Sequence, residues 1–449
     1  MNNKWSRRTF LAGTSSAFVG TGLIGQHTLF AQHAPKSGGN NRVRLGMIGC
    51  GIRACNMQHV FHNYITNEAD ITALADVNSE RLGTLHKNLG SRPDTYSDFR
   101  KLLDDKSIDA VIIATPGHWH ALAAIHACQA GKDVYLEKPV ASRIGEGRAV
   151  INAARKYNRV IQIGTQQRMR ETYQKAYDIV QSGVLGDISH VHAWDLQYFY
   201  PGPGRPADTT PPSELDWDTW IGPSPAVPYN INRYKNHYWF FDYGGGWQVD
   251  WAVHHYDFVN WAMGVTSPVA ANGTGGTYVL DSNWQWPDTY DGCCEYGPGP
   301  IANKGFLMTF TYRGGNARLI EGTAHGKSFH GSNGTLVVSR QGYSLYSETR
   351  NGKKVMEEQC QDVSHTMGDL HFRATADRLR GLFKMMHKRE TIGTIEDGHY
   401  ASNPGHLMNI AWRVGRRIRW DAEKEEIIGD PEANALVTKE YRKPWALEV

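Results

Sequence analysis

Three groups of residues in this 449-residue chain have types and spacings that could do chemistry. The first is Gly49-Cys50-Gly51-Ile52-Arg53-Ala54, a G-x-G-x-x-A turn that follows the apolar run Val43, Leu45, Met47 and Ile48. Two glycines allow a tight turn and let backbone amides approach a pyrophosphate, and the small third residue lets the next helix pack closely on the strand. About 22 residues beyond Ala54, the stretch DITALADVN closes on Asp76, whose carboxylate can accept both ribose hydroxyls of NAD and would repel the 2′-phosphate of NADP. The second group is Glu137-Lys138-Pro139, and the third is Asp250, His254, His255 and Asp257. Oxidising a secondary alcohol needs a base for the hydroxyl proton, a cation for the developing alkoxide and a hydride acceptor within reach. Lys138 can be that cation. Asp250 and His254 are four apart, so in one helix they share a face, where a carboxylate can fix the imidazole tautomer and make it a better base. Asp257 falls on that face a turn later. Spacing alone leaves both His254 and His255 open as the base.

The elements that must carry these residues alternate between strand and helix. After the first two strands, Ala110 to Ala114 read as a third buried strand, Leu122 to Ala130 as a helix closed by Gly131, and Val134 to Leu136 as a fourth strand delivering Glu137-Lys138-Pro139. A further helix leads to RVIQIGTQQR, which ends in Gln166, Gln167 and Arg168. In an open parallel sheet, ligands sit at the carboxyl ends of the strands, where all these polar residues fall. The expected fold is therefore α/β, a Rossmann-type doubly wound parallel sheet over residues 42–168. Past it, ISHVHAWDLQY, KGFLMTFTYR, NARLIEGTA and GTLVVSR read as strands of a second unit, residues 169–449.

The fingerprint, Asp76, ATPGHWH, GKDVYLEKP and GGGWQVDWAVHHYDFVNW, in that order and spacing, resemble the Gfo/Idh/MocA oxidoreductases, the relatives of glucose-fructose oxidoreductase and inositol dehydrogenase. The resemblance covers nearly all the chain after residue 40. It implies an α+β C-terminal domain with an open, mainly antiparallel sheet that supports the substrate side and often a subunit interface, hence a homo-oligomer. It places Lys138 beside the nicotinamide and, through the D-x-x-x-H pattern, the base at His254 with Asp250 behind it. The implied cofactor contacts are Gly49, Gly51, Ile52, Arg53, Asp76, Thr115, Pro116, His118, Glu137, Lys138 and Gln167. The implied substrate contacts are Arg168, Trp247, His255 and Asp257. Ala252 stands where the family commonly has glycine. Pro201 to Gly246 is a longer Pro/Gly-rich connection than in shorter members, so a substrate does not transfer from them.

Other signals bound the reading. His118, His120, His237, His254 and His255 tempt a metal assignment, but no cysteine or carboxylate completes a recognisable ligand set, and no metal is expected. The net charge of +3 falls near neutral once the N-terminal Lys4, Arg7 and Arg8 are set aside, which gives no reason to expect nucleic acid. Cys50, Cys55, Cys128, Cys293, Cys294 and Cys360 form no disulfide framework. Ser6-Arg7-Arg8-Thr9-Phe10-Leu11, followed by a mildly apolar run ending near Ala31 or Ala34, resembles a twin-arginine signal over residues 1–34. Export to the periplasm through the Tat translocase is the expectation, with a membrane tether if the segment stays uncleaved. No later apolar run reaches the ~20 residues that span a bilayer. Aromatic density between Trp194 and Trp261 suits sugar faces. Two functions are therefore carried forward. One is an oxidoreductase acting on a sugar, cyclitol or glycoside hydroxyl with tightly held NAD. The alternative is a glycosidase that oxidises transiently, eliminates and returns the hydride. A cofactor-free binding protein would be expected to lose Lys138, Asp250 or His254, and all three are present.

Overall fold

The structure, a computed structural model, describes residues 42–350, 353–354, 357–361, 367–389 and 395–449. The twin-arginine stretch lies outside them. The first sheet runs β1 (Val43–Ile48), β2 (Ala69–Ala75), β3 (Asp94–Tyr96), β4 (Ala110–Ile113), β5 (Asp133–Leu136) and β6 (Ile161–Ile163). Its spatial order is β3-β2-β1-β4-β5-β6, with every pair parallel. β4, β5 and β6 are short apolar runs buried on both faces, as central parallel strands must be when helices cover both sides. Those helices are α1 (Ile52–Asn63), α2 (Ser79–Asn88), α3 (Phe99–Asp104), α4 (Gly117–Gln129) and α5 (Ile144–Lys156). The unexpected β3 is a three-residue edge strand, Asp-Thr-Tyr, with no buried residue, so no hydrophobic pattern marks it.

After α6 (Glu171–Gln181) the chain enters a second sheet through β7 (Ile188–Leu196). Short helices α7 (Trp217–Ile221), α8 (Ile231–Lys235), α9 (Trp247–Asp250) and the longer α10 (Val253–Met263) fill the long connection to β8 (Ala270–Gly276). Strands β9 (Thr289–Tyr296), β10 (Phe306–Arg313), β11 (His325–Gly331), β12 (Gly334–Ser339), β13 (Gly342–Ser347), β14 (Thr349–Arg350), β15 (Lys353–Lys354) and β16 (Glu357–Gln361) follow. Then come α11 (Met367–Lys388), α12 (Ile395–Val414), β17 (Ile418–Asp421), β18 (Glu426–Ile427) and α13 (Pro431–Asn434). Ten strands make one mixed sheet in the order β16-β13-β12-β11-β7-β10-β9-β8-β17-β18. Only β7 and β10 pair in parallel, and the other ladders are antiparallel.

The last part of the chain returns to the first sheet. Ala376, Leu379, Leu382 and Phe383 of α11 are buried with Leu45, Met47 and Leu74, and Ile395 of α12 joins the cluster of Val111, Val134 and Ile161 on the other face. A helix coded three hundred residues after β1 thus completes the core beneath the fingerprint turn. No described helix is long and apolar enough to cross a membrane.

Candidate active site

A cavity of about 500 Å³ opens at the carboxyl ends of β1, β2, β4 and β5, roofed by α8, α9, α10 and the end of β12. Gly49, Gly51, Ile52, Arg53, Asp76, Thr115, Pro116, Glu137, Lys138, Asp250 and His254 all line it. The turn is built for close backbone approach. Gly49 has φ +91°, and a Cβ there would meet Ala114 O at 2.8 Å, so a side chain would collide with the end of β4. Gly51 caps α1 without a side-chain acceptor, leaving the first helical amides for an anion.

Asp76 ends β2 with one oxygen accepting the Cys50 N–H at 2.6 Å and the other the Asn78 N–H at 2.7 Å. Burial raises its carboxyl, and these amides and Arg81 work against that rise. Arg81 lays its guanidinium over the Tyr234 ring, 4.6 Å from the centroid, and both line the cavity. Arg53 pairs with Glu137 at 2.6 Å. Gly164 makes room for that pair, since a Cβ there would lie 2.8 Å from Glu137 Oε1.

Lys138 leaves β5 and donates from Nζ to the main-chain oxygen of Asp250, with Nζ also 5.2 Å from the Trp251 ring centroid. Burial lowers its pKa against the opposing pull of Glu137 and Asp250. Trp251 is the cavity end of a stack of four indoles: Trp284 on Trp239 at 4.4 Å, Trp239 on Trp247 at 6.1 Å, Trp247 on Trp251 at 4.9 Å. Trp247 is therefore behind the wall rather than in it, and braces Trp251.

The expected Asp250–His254 pair does not form as a helix pair. Between α9 and α10 the hydrogen-bond ladder slips: the Ala252 N–H reaches Trp247 O, five residues back, and the His254 N–H reaches Trp251 O, three back. The Asp250 carboxylate instead accepts the Gly245 N–H at 2.9 Å, and burial pushes it up to about 7. His254 Nδ1 is buried with no hydrogen-bond partner among the described residues, and burial together with Lys138 holds the imidazole well below its ordinary pKa. Both groups still face the cavity.

Several expected contacts lie elsewhere. His118 is turned into the core and donates to Trp220 O at 2.9 Å, because the α4 turn that presents Gly117, Trp119 and His120 points it away from the cavity. His120, which is in the wall, faces Thr115 O at 2.9 Å and Pro139 O at 2.6 Å and so ties the ends of β4 and β5 together. Gln167 sits behind the wall against Arg340, and its neighbour Gln166 takes the lining position. Arg168, half-buried in the turn after β6, pairs with Asp257 at 2.8 Å and Asp397 at 2.9 Å, an ion cluster that ties that turn to α10 and α12. His255, one step along α10 and outside the cavity lining, faces His325 at 3.1 Å, and His325 reaches Asp195 at 2.9 Å. Ligand atoms of these last three residues lie within 4.8 Å of one another, the only group of metal-ligand composition among the described residues. They come from β7, α10 and β11, so no local spacing reveals them.

The wall also contains residues that the sequence reading leaves out: Arg340 after β12, His371 of α11 and Trp445 near the C-terminus. His371 Nε2 accepts from Arg53 at 3.2 Å. Trp445 packs edge-on to Trp119 at 4.9 Å and carries Arg100 over its face. None belongs to a contiguous motif, and chain distance hides them.

A family model described as "Oxidoreductase family, NAD-binding Rossmann fold" matches residues 43–165, and its companion, "Oxidoreductase family, C-terminal alpha/beta domain", matches 169–289 and 344–447. Inositol 2-dehydrogenase 1 of Saccharopolyspora erythraea is 26% identical over 200 residues, 43% of this chain and 58% of that protein. Levoglucosan dehydrogenase of Pseudarthrobacter phenanthrenivorans is 32% identical over 133 residues, 30% and 34% of the two chains. The chain thus spans about half or less of the length of these curated relatives. Among solved structures, a levoglucosan dehydrogenase in complex with NADH superposes with a TM-score of 0.64 at 17% identity, covering 84% of this chain and 99% of that one. A myo-inositol 2-dehydrogenase from Lactobacillus plantarum gives 0.61 at 17%, covering 84% and 99%. These likenesses show the same fold.

Proposed function

This chain belongs to the Gfo/Idh/MocA oxidoreductase family, and from that premise we propose that it oxidises a secondary hydroxyl of a sugar, cyclitol or glycoside, with NAD as the hydride acceptor. One observation carries the reading. Lys138, delivered by the cofactor sheet, and Asp250 and His254, delivered by the second unit, line the same cavity as the Gly49–Gly51 turn and Asp76. The residues present suit a dinucleotide: a turn that a Cβ would obstruct, uncapped helix amides for the pyrophosphate, and a carboxylate at the end of β2 for the ribose. Bound there, the nicotinamide would supply the site that takes the hydride.

The chain's own groups do the rest. Lys138 is held by the Asp250 carbonyl and the face of Trp251, so its ammonium protons can be offered to an alkoxide without a search through rotamers. His254, kept neutral by burial and by Lys138, keeps a lone pair for the hydroxyl proton. Asp250 stands beside them as a second proton acceptor whose ionisation near pH 7 adjusts the field at Lys138. The indole stack gives this end of the cleft an apolar wall, beside which charge stabilisation is stronger than in bulk water. The same proposal includes export through the twin-arginine route with the cofactor already bound.

The test is NADH formation by the full chain on a panel of sugars and cyclitols, run beside nitrophenyl glycosides. Turnover of the polyols to NADH supports the oxidoreductase. Release of nitrophenol with no net change in NADH would move the assignment to the glycosidase. In the oxidoreductase case Lys138→Met lowers turnover by about 10²-fold or more while NAD still binds.

A further inference from the structure

Charge is distributed unevenly along the cavity. Arg53 in its wall is paired with Glu137 at 2.6 Å, and Arg168 behind it with Asp257 and Asp397. Arg340 differs. It lines the cavity and lays its guanidinium on the Trp251 ring, 5.4 Å from the centroid, the ring that also holds Lys138 Nζ at 5.2 Å. Among the described residues no carboxylate lies within ion-pair distance of it. Its polar partner is neutral: the Gln167 side-chain oxygen accepts from Arg340 Nε at 3.2 Å and Nη2 at 3.3 Å in the amide orientation that satisfies both sides. That contact fixes the guanidinium plane without an ion pair, and the buried Asp195 carboxylate acts on it only from beyond ion-pair distance.

The nearby acids are already engaged. Asp195 accepts from Gln197 at 2.7 Å and faces His325 at 2.9 Å. Asp250 accepts the Gly245 amide, and its raised pKa makes it only partly anionic at neutral pH. Lys138 and Arg340 therefore set two cations at this end of the cleft against the partly protonated Asp250 and the more distant Asp195, an arrangement that favours the entry of an anion. A stacked guanidinium, planar and always charged, matches a carboxylate through two parallel hydrogen bonds. Arg340 also lies in the stretch 290–343 between the two segments that the family model matches, so the argument rests on this chain's own geometry.

We propose that the substrate is a sugar acid, of uronate or aldonate type, whose carboxylate is received by Arg340 while its reacting hydroxyl faces Lys138 and His254. This rests on the oxidoreductase reading above. The test uses the NAD-saturated full chain and matched acid and neutral pairs: D-glucuronate with D-glucuronamide, D-galacturonate with D-galactose, and D-gluconate with D-glucitol. Calorimetry gives affinity and NADH formation gives kcat/KM. At least one acid is expected to exceed its neutral partner by about tenfold or more in affinity and in kcat/KM, the order of one charge-assisted bidentate contact. Arg340→Gln should erase that ratio, and Arg340→Lys should restore part of it, with NAD affinity retained in both. Equal binding of acid and neutral partners, no binding of any acid, preference for glucose 6-phosphate over glucuronate, or a parallel loss of NAD affinity in Arg340→Gln overturns the proposal. NADH formation without acid preference would leave the oxidoreductase standing. Absence of NADH from every sugar would remove the oxidoreductase reading instead, with calorimetry still deciding the acid preference.

Discussion

A carboxylate, Asp76, and a guanidinium, Arg81, share one end of the cleft. In the proposed complex Asp76 would face the ribose and repel a 2′-phosphate, but it also holds the Cys50 amide of the fingerprint turn, and Arg81 beside it would welcome the phosphate that Asp76 would exclude. Replacing Asp76 with Ser leaves Arg81 without its opposing charge. The ratio of NADP to NAD affinity should then rise about tenfold or more, measured as separate dissociation constants, with NAD binding weakened in absolute terms. An unchanged ratio would mean that Asp76 serves only the turn. Residues such as Asp76 and Lys138 are legible because strand, turn and acid, or strand and E-K-P, are contiguous in the chain. Arg340 and His371 are not, because they meet the site only after the second sheet and α11 have folded back onto the first. His118 and Gln167 mark the opposite limit. A motif names a loop correctly, while one step along the backbone decides whether a side chain faces the ligand or the core.

At the level of elements, the hydrophobic pattern gives away the buried parallel strands and, in the second sheet, β7, β10 and β12; it misses the polar edge strand β3, the buried β11 and the slipped ladder between α9 and α10, and NARLIEGTA, read as a strand, holds only an isolated bridge between Ile320 and Thr323. It also gives no hint of the clamp at Glu425. That carboxylate, in the turn between β17 and β18, accepts from Arg148 of α5 at 2.7 Å and pairs with His399 of α12 at 2.6 Å, joining the end of the second sheet to a helix of the first. Burial would raise its pKa, but the bonds from His399 and Arg148 outweigh it and hold the value at about 2. Its folded value is lower than its unfolded one, so its contribution to stability is complete above the ordinary Glu range and is lost as pH falls toward 2. Glu425→Gln should therefore lower unfolding free energy at pH 7 by about 1 to 3 kcal/mol, with the lower end favoured by its partial exposure. In urea titrations the gap between the two proteins should narrow steadily below about pH 4. A gap that stays constant across pH would show that packing, rather than charge, holds this junction.

For the whole molecule, the proposed export sets a constraint on the cofactor. A compartment outside the cytoplasm offers no dissolved NAD, so an exchangeable cofactor would be lost after one turnover. A cofactor bound before export would persist if the folded chain holds it, since binding stabilises the folded form by RT ln(1 + [L]/Kd). Protein from the exported fraction, with no nucleotide added, should release close to one NAD(H) per chain when denatured. Changing Arg7 and Arg8 both to Lys should leave the loaded protein in the cytoplasm. Exported protein that works only with added NAD would remove retention from the account.

The wall of that same cleft sets a timetable for biosynthesis. Asp76 and the fingerprint turn leave the ribosome early, but Arg340, His371 and finally Trp445 are needed to finish the enclosure. At 5–20 residues per second, roughly 20 to 75 s separate the emergence of Asp76 from that of Trp445. For most of that interval the nascent chain presents an open half-site, and until α11 (Met367–Lys388) emerges its first sheet also lacks that helix's apolar cover. Under the proposed function, closure of the wall around a nucleotide would come at the end of synthesis, and the interval before it is when a chaperone would have its work to do.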